Sequence, residues 1–173
     1  MRRVWQVVPR LLFGRRLHTE TVPGARRGSV FVRQVDGGSS NVFESELAAL
    51  TNPVYDLAQY GISLVASPSH ADVMLLTGPL TRNMLGPVRE AFAVMPRHRA
   101  IVTVGDYADF GRSHPPTDPV VGQLVQLLEG SYATVDLPDE LRRAIVAHVP
   151  GDPPEPVSVI RALLEVVPRA RAR

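Results

Sequence analysis

Three features of this chain predict an α/β domain built on a mostly parallel sheet. Strand-like apolar runs alternate with helical patterns, two of those runs are apolar throughout, and turns rich in Gly, Pro, Ser and Asp separate them. The unbroken runs at 73–77 and 100–104 have the composition of strands covered on both faces. A chain of 173 residues with 45% apolar content suffices for one domain with a real core.

In chain order, the first segment is basic. Val4, Val7, Val8, Leu11 and Leu12 keep the spacing of one helical face, while Arg2, Arg3, Arg10, Arg15 and Arg16 lie mostly off that stripe. Pro9 kinks or splits this helix, and Trp5 suits a headgroup boundary. Residues 1–28 are therefore expected to form an amphipathic arm that docks on a membrane or a membrane subunit. A loose Arg-rich tail and an organellar transit peptide are the alternatives.

Residues 30–35 predict a strand, ended by Asp36-Gly37-Gly38-Ser39-Ser40. A helical pattern over 44–58 carries Leu47, Leu50 and Leu57 and is interrupted by Pro53. Strands are expected at 62–66, 73–77 and 100–104, with a helix over 82–94 that has Pro87 near its first turn. Residues 111–119, with Pro115, Pro116 and Pro119, predict an exposed loop, and 124–128 a short helix. A fifth extended segment at 145–149 precedes a last helix over 156–167, with Val159, Ile160, Leu163, Leu164 and Val167 inward. Together these give a flavodoxin-like three-layer domain with a four- to five-stranded sheet over 29–168, the arm before it and an Arg-rich tail at 169–173. In such sheets function gathers at the carboxyl ends of the strands.

The net charge of +2 hides an asymmetry. Residues 1–33 hold eight Arg and Glu20, or 8 − 1 = +7; the remainder holds eleven Arg and sixteen acids, or 11 − 16 = −5. No apolar stretch reaches the roughly 18–20 residues of a membrane span. The chain contains no cysteine, which excludes disulfides, thiolate catalysis and cysteine-held metals.

Several motifs carry a resemblance. With cysteine at 40, 43, 107 and 152, the stretches from Gly38 to Glu46, Val104 to Ala108 and Val149 to Pro154 would read G-C-x-x-C-E-x-E, G-D-C-A and P-G-C-P-P. Asn52-Pro53-Val54-Tyr55-Asp56, Tyr60-Gly61-Ile62, the run from Ser67 to Met84 and Met95-Pro96 extend the pattern over most of residues 30–167. The chain thus resembles the small, cluster-carrying subunit of respiratory complex I and of energy-converting [NiFe] hydrogenases. It departs from that family at Gly111 to Arg143 and at all four ligand positions, which are Ser40, Phe43, Tyr107 and Asp152.

The resemblance implies a scaffold kept without its [4Fe–4S] cluster, since such a cluster needs about four thiolates. Phe43 and Tyr107 are expected to fill the old pocket, with Asp152 solvated or hydrogen-bonded beside them. Two polar groups next to two aromatics make a poor metal site, so neither a metal nor a cofactor is expected. Glu44 and Glu46 match acids beside the family's cysteine pair; they are expected to cap a helix or, with Arg82, Trp5 and Arg10, to touch partners. No residue is assigned a catalytic role. A triad of Ser40, His70 and Asp72 is coincidental, as no nucleophile elbow is present, and His70 is expected to anchor a turn.

The implied function is a cluster-free structural subunit of a complex I-like or hydrogenase-related assembly. The implied partners are a hydrogenase-like large subunit, multi-spanning subunits of an ion-translocating module and the membrane surface reached by the arm, with no nucleic acid. The expected place is peripheral, on the cytoplasmic face of the cell membrane, or on the matrix side of the mitochondrial inner membrane. Two alternatives stay open. One is a flavodoxin-like enzyme that holds a nucleotide or flavin at the Gly/Ser turn. The other is a subunit of a quinone oxidoreductase whose redox centres lie in its partners.

Overall fold

The computed structural model describes residues 29–38, 41–108, 116 and 118–171, with side chains through 166. The N-terminal arm, with Trp5 and Arg10, lies outside the described residues, as does Ser40. Five strands, β1 (Val30–Asp36), β2 (Ile62–Leu64), β3 (Val73–Thr77), β4 (Ala100–Val104) and β5 (Ile145–Val149), form one sheet in the order β2-β1-β3-β4-β5. All four pairings are parallel, with Val32 opposite Val73 and Val73 opposite Ala100. This is the flavodoxin-like order, with its switch point between β1 and β3.

The central strands β3 and β4 are buried at every position. One face of the sheet is covered by α1 (Val42–Leu50) and α5 (Pro156–Arg171), which bring Phe43, Leu50, Val159, Ile160 and Leu163 against Val32, Leu75, Val102, Val104 and Val149. The other face meets α2 (Leu85–Val94) and the short α4 (Asp139–Arg142). Val88, Phe92 and Leu141 there join Met74, Leu76 and Ile101.

Element ends follow local chemistry. The helical pattern expected over 44–58 stops at Leu50, because Asn52 Oδ1 accepts hydrogen bonds from Val54 N and Tyr55 N and holds Pro53 in a turn. A 3₁₀ turn at Leu57–Tyr60 then closes on Gly61 at φ 74°. The second helix starts at Leu85 rather than 82. Pro87 therefore sits in its first turn, where no intrahelical N–H is needed, and Met95 before Pro96 is extended.

Two expectations need correction. Pro119 belongs to no loop; it opens α3 (Pro119–Glu129), whose N-cap Asp118 accepts from Val120 N at 2.7 Å. That helix is more than twice the length predicted from Leu124 to Leu128. The last helix runs to Arg171, so the tail assigned to 169–173 begins inside it.

Candidate functional site

The carboxyl ends of β1, β3, β4 and β5 lie side by side at Asp36, Thr77, Val104 and Val149. At β1, Gly37 N donates to Thr77 O, and Gly37 O accepts from both Thr81 N at 2.7 Å and Thr81 Oγ1 at 2.9 Å. Gly38 follows at φ 141°. A Cβ there would stand 2.4 Å from Thr81 Cγ2 and 2.8 Å from Pro79 O, so only glycine fits so close an approach. The β1 and β3 loops are therefore clamped together.

The β4 and β5 loops are joined in the same way. Gly105 N donates to Val149 O, and Gly151 N donates to Asp106 Oδ1 at 2.7 Å. Gly151 stands at φ 102°, where an added Cβ would meet Pro153 O at 2.8 Å. Tyr107 lies half-buried on the first of these loops, and Asp152, also half-buried, lies on the second. Burial first, then the Asp152 and Asp106 carboxylates, push the Tyr107 phenol above its ordinary value of 10.0. Tyr107 and Asp152, 45 positions apart in the chain, thus share one electrostatic neighbourhood. Phe43, the second residue of α1, is 3% exposed and belongs to the core that includes Val104 and Val149.

Three of the four positions that the resemblance assigns to cluster ligands are described, and their side chains do not fit an iron–sulfur cluster. A buried phenyl ring offers no donor, a phenol whose ionisation is opposed by burial and by two carboxylates is a poor anionic ligand, and one carboxylate remains. Among the described residues no group of three or more His, Asp or Glu is arranged to hold a metal ion.

Glu44, expected to cap its helix, stands in the first turn of α1. Its Oε1 accepts from Gln34 Nε2 at 2.8 Å and from the fully buried Thr77 Oγ1 at 3.3 Å, tying α1 to the ends of β1 and β3. The N-cap residue is Asn41, in the left-handed region with no capping bond from its side chain. Glu46 lies half-buried on the same helix. Arg82 is exposed, and it is held by its own domain: Nε donates to Tyr132 O at 3.1 Å, and its amide to Ala133 O. Gln34, Thr77 and Asp106 were missed as contributors, although a polar residue within or just after an apolar strand was a signal available in the sequence.

His70 and Asp72 are not hydrogen-bonded to each other. Asp72 receives Phe31 N at 3.0 Å on one oxygen and meets His98 Nε2 at 2.9 Å on the other. His70 is exposed, and it ends its turn through its backbone amide to Ser67 O rather than through its ring. Of the Gly/Ser turn considered for a nucleotide or flavin, Ser39 and Ser40 lie outside the described residues. The amides of Gly37 and Gly38 are already taken by Thr77 O and Asp36 Oδ1, so neither is available to a phosphate.

Comparison with known proteins shows the family and the fold. The family model described as NADH ubiquinone oxidoreductase, 20 Kd subunit, matches residues 43–166, well over half of the chain. An uncharacterised protein of Methanocaldococcus jannaschii is 31% identical over 85% of this chain and 88% of its own length. A probable membrane-bound hydrogenase subunit of Pyrococcus furiosus is 28% identical over 79% of this chain and 72% of its own. The fold is also shared with a chain in the structure of the membrane-bound sulfane sulfur reductase, an archaeal respiratory membrane complex. The TM-score there is 0.57 at 20% identity, covering 83% of this chain and 72% of that one. Among the described residues no helix is long and apolar enough to cross a membrane.

Proposed function

The chain belongs to the NADH ubiquinone oxidoreductase 20 kDa subunit family, and from that membership we propose that it is a cluster-free structural subunit of a membrane-associated, complex I-like or hydrogenase-related assembly. In this reading it seats a hydrogenase-type large subunit on an ion-translocating membrane module, as a peripheral subunit on the cytoplasmic side. Electrons do not pass through it, so any redox step belongs to its partners.

One observation carries this reading. The loop frame that would present the ligands is intact, through the Gly37–Thr81 and Asp106–Gly151 hydrogen bonds, while the side chains at positions 43, 107 and 152 offer no thiolate. Retention of a frame without its chemistry is what an assembly role requires. Glu44 fits the same role, because its carboxylate fastens the helix that carries Phe43 to the sheet.

Mild detergent extraction and affinity purification from the native host test the proposal. Recovery of a hydrogenase-like large subunit together with multi-spanning membrane proteins is the expected result. Recovery of this chain alone, as a monomer in the soluble fraction of the same preparation, overturns it.

A further inference from the structure

Helix α3 stands apart from the packing that the other long helices make. Val125 is its buried residue, and neither core cluster draws on any position from Pro119 to Glu129. Val120, Leu124 and Leu127 keep the i, i+4, i+7 spacing of one helical face, which a surface helix normally turns inward. Here they are 64%, 44% and 71% exposed, and Tyr132, three residues past the helix, is 89% exposed. The stripe is held from a fixed base. Asp118 caps the start of the helix, Thr134 Oγ1 donates to Leu128 O, and Arg82 Nε donates to Tyr132 O beyond the helix end. The charge around it is one-sided: from Asp118 to Leu141 the sequence holds Asp118, Glu129, Asp136, Asp139 and Glu140 but no Lys or Arg. The exposed polar positions inside the helix are Gln123 and Gln126. The helix also lies in the stretch from Gly111 to Arg143 where the sequence departs from the family pattern, so this surface is the chain's own.

We propose that the stripe of Val120, Leu124 and Leu127 docks into an apolar groove of a different protein subunit, and that Lys or Arg residues rim that groove. This rests on the reading of the chain as part of an assembly, and it needs nothing from the cluster-free reading. The mode is that of an amphipathic helix laid in a groove, with anchors at i, i+4 and i+7. Charge complementarity selects the occupant. Helices that lie on anionic bilayers carry Lys and Arg on their polar face, whereas this one carries glutamines between Asp118 and Glu129. A two-fold pair of copies, whether its helices run parallel or antiparallel, sets acid against acid at both ends. Area argues the same way. Eleven residues make a helix about 16 Å long and about 10 Å wide, so one face offers on the order of 160 Å² in projection. A stable interface takes about 800 Å² from each partner. The stripe is therefore an anchor within a larger contact, such as a multi-subunit assembly supplies, and Tyr132 extends it with the residue type that interfaces favour.

The chain has no cysteine, so Leu127→Cys places a single reporter thiol in it, at an exposed position where substitution is nearly neutral. In the assembly purified from the native host, maleimide labelling at position 127 should be about tenfold slower than in the full chain purified alone. Gln123→Glu should leave recovery of the partner subunits unchanged, and Gln123→Arg should lower it about tenfold, both at an unchanged thermal midpoint. Equal labelling in the assembly and in the chain alone overturns the docking proposal while the assembly reading stands; recovery of the chain only as a monomer removes both. Equal recovery with Gln123→Glu and Gln123→Arg overturns the basic rim. Protection already present in the dilute chain would mean that its own residues cover the stripe. Protection that grows with chain concentration would mean a second copy, and protection on adding vesicles of anionic lipid would mean a membrane. Each of these three overturns the proposal.

Discussion

Truncation of Phe43 is the most informative single perturbation, because it separates a ring that fills space from one that merely replaces a lost ligand. Phe43 is 3% exposed and lies in the cluster that joins α1 to Val104 and Val149. A buried aromatic removes roughly 150–250 Å² from water, which at about 25 cal/mol per Å² corresponds to about 4–6 kcal/mol, an upper estimate. Measured Phe→Ala changes in cores fall at about 3–5 kcal/mol, so about 4 kcal/mol is expected for Phe43→Ala. Urea denaturation followed by circular dichroism reads it as a fall in midpoint at unchanged slope. Because domains of this size have only about 5–15 kcal/mol in total, Phe43→Leu serves as a milder companion, expected to cost about 1 kcal/mol. A midpoint for Phe43→Ala within about 0.5 kcal/mol of the parent would refute the space-filling role, since surface substitutions fall in that range.

Three further outcomes follow from the same geometry. The raised Tyr107 phenol pKa makes its contribution to stability complete below pH 10.0 and progressively lost as pH rises above it; thermal unfolding between about pH 9 and 11 should therefore fall more steeply in the parent than in Tyr107→Phe. Gly38→Ala forces a Cβ onto Thr81 Cγ2 and Pro79 O at φ 141°, so it should destabilise by about 1–3 kcal/mol or more by calorimetry; a neutral result would mean the clamp is loose. Asp106→Ala leaves Gly151 N without its 2.7 Å acceptor and should cost about 1–3 kcal/mol, with faster hydrogen exchange at Gly151.

Much of the fold could be read from the chain. Strands β3 and β4 end where their apolar runs end, because a strand buried on both faces leaves a continuous hydrophobic block, here followed by Gly78 and Gly105. Boundaries failed where side-chain hydrogen bonds decide them. Asn52 turns the chain after Leu50, and Asp118 with Pro119 starts α3 inside a stretch whose prolines suggested a loop. The pairing of Tyr107 with Asp152 at one edge was foreseeable from strand order, as both follow adjacent parallel strands. The bonds from Glu44 to Gln34 and Thr77 were not, because nothing local says that its carboxylate reaches the ends of two strands. His98 was overlooked for the same reason: its partner Asp72 is 26 residues away in the chain.

The central claim is that an ancestral frame persists here without its metal cluster. Electron cryomicroscopy of the purified assembly, read at the edge where β1, β4 and β5 end, tests it most directly. The account predicts protein density alone there, with the Phe43 ring packed among Val104 and Val149 and the Tyr107 phenol beside Asp152. A compact, strongly scattering four-iron feature enclosed by positions 40, 43, 107 and 152 would contradict it.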